Sequence, residues 1–152
     1  MERVYSIVRS FKYAIAGLLY TLKTQRNMRI HFSAAALVIA FGCFYGLSAV
    51  EWVALGFTIT FVIVCEMLNT AVENAVDVAT SSYHKKAKVA KDVAAGAVLM
   101  AAVLAVAVAI LLFCDLAKLG AAIQHILSNT WYIGGFLVGI VLAICWILAG
   151  KR

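Results

Sequence analysis

The sequence predicts an all-α integral membrane protein: an N-terminal amphipathic surface helix followed by four membrane-spanning helices. Three observations carry this. Hydrophobic residues make up 65% of the 152-residue chain and charged ones 13%, with a mean hydropathy of +1.00; a soluble domain of that size cannot cover so much apolar surface. Proline is absent, so no helix carries a built-in kink or stop. Four long apolar segments each approach the ~20 residues needed to cross the hydrocarbon core.

Residues 4–22 form the first element. Val4, Ile7, Val8, Phe11, Ile15, Leu18 and Leu22 fall on one stripe, with Arg3, Arg9, Lys12 and Lys23 off it. That pattern suits a helix lying in the membrane interface, its basic side toward anionic headgroups. The four spans cover about 30–47, 52–72, 93–114 and 131–149. Gly42…Gly46 and Gly135…Gly139 have the GxxxG spacing that permits close helix approach. No segment resembles a cleaved signal peptide.

Charge orients the bundle. With the N-terminus cytoplasmic, all of the 13 Lys and Arg except Lys118 fall in inside segments. This positive-inside asymmetry supports an even number of spans and places both termini in the cytoplasm. The stretch 74–92 is then a cytoplasmic loop and 115–130 an outside connector, weakly amphipathic. The net charge of +6 reads as basic loops, not as a nucleic-acid surface. Cys43, Cys65, Cys114 and Cys145 have no CxxC spacing and are expected as small buried hydrophobes.

The informative polar residues lie on the second span. Glu66, Asn69, Glu73 and Asp77 are spaced 3, 4 and 4 apart, which puts them within an arc of roughly 80° on one helix face. Glu66 interrupts an apolar run, where a carboxylate costs roughly 2.5–3.5 kcal/mol on insertion scales. It needs a partner, a proton or a water-filled cleft. The face connects lipid to water, as a reaction between a lipid hydroxyl and a soluble phosphate donor requires. A polar seam between helices, or a proton path in a small transporter, would use the same spacing. Lys91 and Asp92 precede the third span: a point charge for phosphate, and an acid that also suits a helix N-cap. There is no Walker A loop and no GxGxxG. His31 and His125 suggest nothing beyond packing.

The run Glu66-Met67-Leu68-Asn69-Thr70-Ala71-Val72-Glu73-Asn74-Ala75-Val76-Asp77 resembles the signature of the prokaryotic diacylglycerol kinase family, which includes the undecaprenol kinases of Gram-positive bacteria. Tyr83-His84, Ala90-Lys91-Asp92, Ala94 to Leu99, Ser10 to Ala14, Gly17-Leu18 and Arg26 to His31 extend the likeness over roughly residues 6–114. The Arg26 to His31 stretch leans toward the Gram-positive branch. The resemblance implies a lipid kinase of the bacterial cell membrane that uses ATP with Mg2+ to phosphorylate undecaprenol or diacylglycerol. It implies a homotrimer with three spans per subunit and active sites between subunits at the cytoplasmic boundary. Matched to the motif, Glu66 is the general base and Asn69 supports it. Glu73 holds magnesium on the ATP phosphates, and Lys91 and Asp92 contact ATP. Tyr13, Ser82, Tyr83 and His84 match nucleotide-contacting positions, and Asp77 a carboxylate near the site.

The chain departs from the family twice. Gln25 stands where a second metal-binding glutamate is usual; an amide oxygen can ligate magnesium but brings no charge. A fourth span follows the usual three, so 1–114 reads as the kinase domain and 115–152 as a connector with an additional helix, for packing, for regulation or to return the C-terminus. Two other classes stay open: a small proton-coupled transporter, and a non-catalytic membrane assembly protein.

Overall fold

The computed structural model describes residues 2–149, and side chains from Ile7 onward. The side chains of Arg3 and Val4, and residues Lys151 and Arg152, lie outside the described residues. Six helices follow in order: α1 (Glu2–Thr24), α2 (Arg26–Tyr45), α3 (Ala49–Ala79), α4 (Lys85–Leu112), α5 (Leu116–Leu127) and α6 (Thr130–Ala149). Four of them, α2, α3, α4 and α6, are long and apolar enough to cross a membrane.

Each boundary has a local cause. Gln25, in extended backbone, separates α1 from α2. Gly46 ends α2 in the left-handed region at φ 76°, where glycine has no Cβ penalty. It is therefore a cap and not half of an in-helix GxxxG pair. Ser48 and Glu51 start α3 with a reciprocal capping box: the Ser48 N–H donates to Glu51 Oε2 at 2.6 Å and the Glu51 N–H to Ser48 Oγ at 3.4 Å. Asp115 caps α5 by accepting from the Ala117 and Lys118 N–H groups at 2.9 and 3.1 Å.

Two sequence expectations need correction here. The stretch 74–92 is mostly helix: α3 continues to Ala79 and α4 begins at Lys85, leaving a turn at 80–84. At ~1.5 Å per residue α3 is about 46 Å long, well beyond a ~30 Å hydrocarbon core. The polar residues 73–77 extend that helix into the boundary layer instead of breaking it. Asp92, for which an N-cap is the plainer alternative to a nucleotide contact, lies two turns inside α4, whose N-cap is His84 without a side-chain cap bond. The connector 115–130 also holds a helix of its own, α5.

The core sits at the α5 end of the bundle. Tyr45, Leu47, Leu55 and Ala122 are buried there, with Phe41, Phe44, Trp52, Phe113 and Leu119 packed against them. A Cβ at Gly42 would stand 3.0 Å from both the Leu47 and Trp52 side chains, so any larger residue there would press them back from α2. α3 and α4 pack against each other along their lengths; buried Ala101 and the small Ala95, Ala102 and Ala105 on α4 permit the approach. α6 has no buried side chain.

Cys43, Cys114 and Cys145 are exposed and Cys65 is partly so. Burial was the wrong expectation because lipid, unlike water, accepts a small apolar thiol on the outside of a bundle. α1 exposes Ile7, Phe11 and Ile15 from its stripe, as an interfacial helix does. Its last turns bind the bundle through buried Thr21 and a bond from Tyr20 Oη to Asn74 Oδ1 at 3.4 Å.

Candidate functional site

The polar face of α3 runs from the hydrocarbon level to the exposed helix end. Glu66 lies 17 residues from Ala49, about 26 Å along the axis, just inside the boundary opposite to α5. It is 1% exposed. Its Oε2 finds no hydrogen-bond partner among the described residues. Thr70, one turn on, is also buried and donates its hydroxyl to the Glu66 carbonyl at 3.0 Å. That bond turns the Thr70 hydroxyl to the backbone and away from the carboxylate.

Asn69 is buried beside Glu66 and donates Nδ2 to Glu73 Oε1 at 3.1 Å. Its own Oδ1 has no partner among the described residues. Glu73 is partly exposed. One turn further, Asp77 is ion-paired with Lys91 of α4, both reaching solvent. A single helix face thus holds an unpaired buried acid, an amide, a second acid and an acid–cation pair in sequence.

A cavity of about 250 Å3 opens onto this face, lined by Glu66 and Asn69 of α3, Asn27, Ile30 and His31 of α2, and Ala95, Val98, Leu99 and Ala102 of α4. Its polar atoms are short of partners: His31 Nε2 is buried without one, as are Glu66 Oε2 and Asn69 Oδ1. Unpaired buried polar atoms are costly, and several of them facing one cavity are what a polar ligand would satisfy.

His31 is the residue that sequence reasoning missed. It was read as packing, yet it lines the cavity and also borders a second, apolar cavity of about 210 Å3 between α2, α3 and α4. The available signal was its spacing of four from Asn27, which puts both polar residues on one face of an otherwise apolar helix.

The structure does not bring every expected residue to this line. Tyr13 is 66% exposed, and Tyr83, Ser82, His84 and Asp92 are exposed as well. None of these five side chains makes a hydrogen bond to Glu66, Asn69 or Glu73 among the described residues. The 80–84 turn is pinned by Thr80, whose hydroxyl donates to the Ser82 carbonyl at 2.9 Å. Gln25 is partly exposed at the α1–α2 break and makes no side-chain cap bond.

Among the described residues no three His, Cys, Asp or Glu side chains gather into a metal cage. Magnesium does not need one: it takes one or two carboxylates and completes its shell with phosphate oxygens and waters. Glu73, whose one hydrogen-bond partner among the described residues is the Asn69 amide, fits that habit.

Comparison with known proteins adds the lineage. The family model described as prokaryotic diacylglycerol kinase matches residues 12–113. A diacylglycerol kinase of Synechocystis sp. is 46% identical over 104 residues, covering 68% of this chain and 59% of that relative. An undecaprenol kinase of Bacillus subtilis is 40% identical over 105 residues, covering 69% and 85%. A diacylglycerol kinase of Escherichia coli K12 is 31% identical over 100 residues, covering 66% and 82%. The aligned part of the chain thus spans under two thirds of the Synechocystis protein and most of the other two. No solved structure matches. With four helices long and apolar enough to cross a membrane and a family match over more than half its length, the chain belongs to the prokaryotic diacylglycerol kinase family.

Proposed function

We propose that the chain transfers the γ-phosphate of ATP to the hydroxyl of a membrane lipid alcohol, diacylglycerol or undecaprenol, at the cytoplasmic face of a bacterial membrane. The observation that carries this is the buried, unpartnered Glu66 carboxylate opening onto a cavity at the head of a polar line that reaches solvent. A lipid hydroxyl can enter from the apolar side and a nucleotide from the other.

In this reading Glu66 accepts the hydroxyl proton as the lipid oxygen attacks the γ-phosphorus. A new O–P bond forms, the bond to the ADP oxygen breaks, and the proton later leaves Glu66 for water. Asn69 holds Glu73 in place through its amide. Glu73 would hold Mg2+, with Gln25 as a neutral second ligand where the family has an acid. The ion held there would supply charge to offset that on the phosphate oxygens. Lys91, oriented by Asp77, neutralises phosphate oxygens. Tyr13, Ser82, Tyr83, His84 and Asp92 contact the nucleotide.

The site is completed by a second copy in a homotrimer. What supports this is that the nucleotide-contacting candidates are exposed and unbonded to the Glu66–Glu73 line within one chain. Residues 1–114 form the kinase unit and 115–152 an appended connector and helix; the family match ends at 113, one residue past α4. Both termini are cytoplasmic, supported by the basic residues clustered at one end of the bundle.

The test is phosphorylation from labelled ATP with diacylglycerol and undecaprenol offered in parallel. Magnesium-dependent labelling of either lipid that is lost in Glu66→Gln is the expected result. A wild-type chain that labels neither lipid, or that moves protons across vesicles without ATP, overturns the reading.

A further inference from the structure

α2 has two working faces. One presents Asn27, Ile30 and His31 to the cavity beside Glu66. On the other, Ser33, Ala36 and Ala40 line a separate groove of about 800 Å3 opposite Gly135, Gly139 and Ala143 of α6. Small residues usually bring helices into contact, but here they leave a gap. A Cβ at Gly135 would meet nothing within 4 Å, and one at Gly139 would first meet Leu37 at 3.9 Å.

The groove is apolar apart from a few groups, and one of them is unsatisfied. Ser33 is 7% exposed, and its Oγ has no partner among the described residues. One turn toward the Glu66 end of the bundle, just beyond the residues that line the groove, stands Arg29. It is 4% exposed, its Nε is buried, and it has no ion pair among the described residues. A guanidinium stays charged at any ordinary pH, and a buried one is costly unless an anion answers it. Helical side chains lean toward their own N-terminus, which carries the Arg29 head toward the membrane boundary, where headgroup phosphates lie.

We infer that the α2–α6 groove binds an anionic phospholipid of the surrounding leaflet, its phosphate paired with Arg29 and an acyl chain lying along the groove. Charge selects this occupant: an apolar helix from a second copy would fill the gap but leave Arg29 unanswered, whereas a phosphate takes the guanidinium fork. Length agrees. Ser33 to Phe44 spans roughly 16 Å, about half of a ~30 Å core, which is the depth of one leaflet. Because α6 lies beyond the matched residues 12–113, the site belongs to the extension, and it faces away from the kinase cavity.

The full chain is reconstituted in nanodiscs holding equal phosphatidylcholine and phosphatidylglycerol, extracted in mild detergent, and its bound lipid counted by native mass spectrometry. The expected result is one phosphatidylglycerol retained per chain in preference to phosphatidylcholine. Arg29→Gln should lower that retention at least about tenfold, the loss of a charge-assisted pair. Ala143→Trp, which fills the groove and keeps Arg29, should lower it as well. If Arg29→Gln fails to fold, the wild-type preference together with the Ala143→Trp result decides the matter. Equal retention of the two lipids overturns the inference, as does an undiminished phosphatidylglycerol count in Ala143→Trp. A loss of oligomer mass in Ala143→Trp with its lipid count intact also overturns it, in favour of a second copy as occupant.

Discussion

At the α5 end of the bundle, Tyr45 packs edge-on against Phe113 at 4.9 Å between ring centroids, and Phe113 against Phe41 at 5.4 Å. The Tyr45 hydroxyl donates to the Asp115 carbonyl at 3.4 Å and accepts from the Asp115 N–H at 3.2 Å. Buried polar atoms there have partners. At the other end, Glu66, Asn69, His31, Arg29 and Ser33 all hold buried polar atoms that lack them. One end is satisfied and aromatic; the other carries a desolvation cost that no partner among the described residues offsets. The contrast teaches where stability and chemistry are kept apart. Aromatic packing on one side of the membrane core can hold the helices while the other side keeps polar atoms of Glu66, Asn69 and His31 without protein partners among the described residues.

The sharpest way to break this comparison is Glu66→Gln. It should lower kinase turnover by about 10²–10⁴-fold, the range of a lost general base, without lowering the thermal midpoint, since it removes a buried charge that lacks a hydrogen bond. Turnover within tenfold of wild type would take the base away from position 66; a large drop in midpoint would show the carboxylate to be structural.

Tyr45→Ala is the converse. Truncating this buried ring should cost about 3–5 kcal/mol of stability, read by thermal unfolding in detergent, with turnover per folded molecule unchanged. If turnover falls in proportion to stability, the two ends are coupled and the division described above does not hold.

The polar line on α3 was legible in the sequence because it is a single-helix feature. Spacing alone places Glu66, Asn69, Glu73 and Asp77 on one face, and the structure keeps them there. The four spans were legible for the same reason, since length and hydropathy are local. What sequence reasoning could not supply depends on packing between helices. His31 gains its place because α2 turns that face toward α3 and α4, and Ser33 because the opposite face lines the groove with α6. The cysteines were misjudged because in lipid an apolar residue carries no information about inside and outside. The 74–92 stretch was misjudged because charged residues end a span without ending a helix: the backbone of α3 satisfies its own hydrogen bonds as far as Ala79 in either solvent.

Glu73→Gln sharpens the picture of the open end. Replacing this carboxylate should raise the magnesium concentration for half-maximal activity by at least about tenfold, while Gln25→Glu should lower it by adding a charge. Both are read from magnesium titrations of the kinase assay. An unchanged requirement in Gln25→Glu would show that position 25 is not a ligand, and an unchanged requirement in Glu73→Gln would leave the metal without a known acid.

The smallest effect belongs to Asp77 and Lys91. Their side chains are 66% and 36% exposed, and an ion pair that open to solvent contributes about 0–1 kcal/mol. Asp77→Asn should therefore leave the thermal midpoint nearly where it was. Its consequence should lie in nucleotide binding, because Lys91 loses the group that aims it: KM for ATP rises while kcat holds, and the difference shrinks as salt screens the phosphate charge. A fall in midpoint with KM unchanged would make the pair a clasp between α3 and α4. The ATP phosphates would then have to find their cation elsewhere on the basic turn, at Lys85, Lys86 or Lys88.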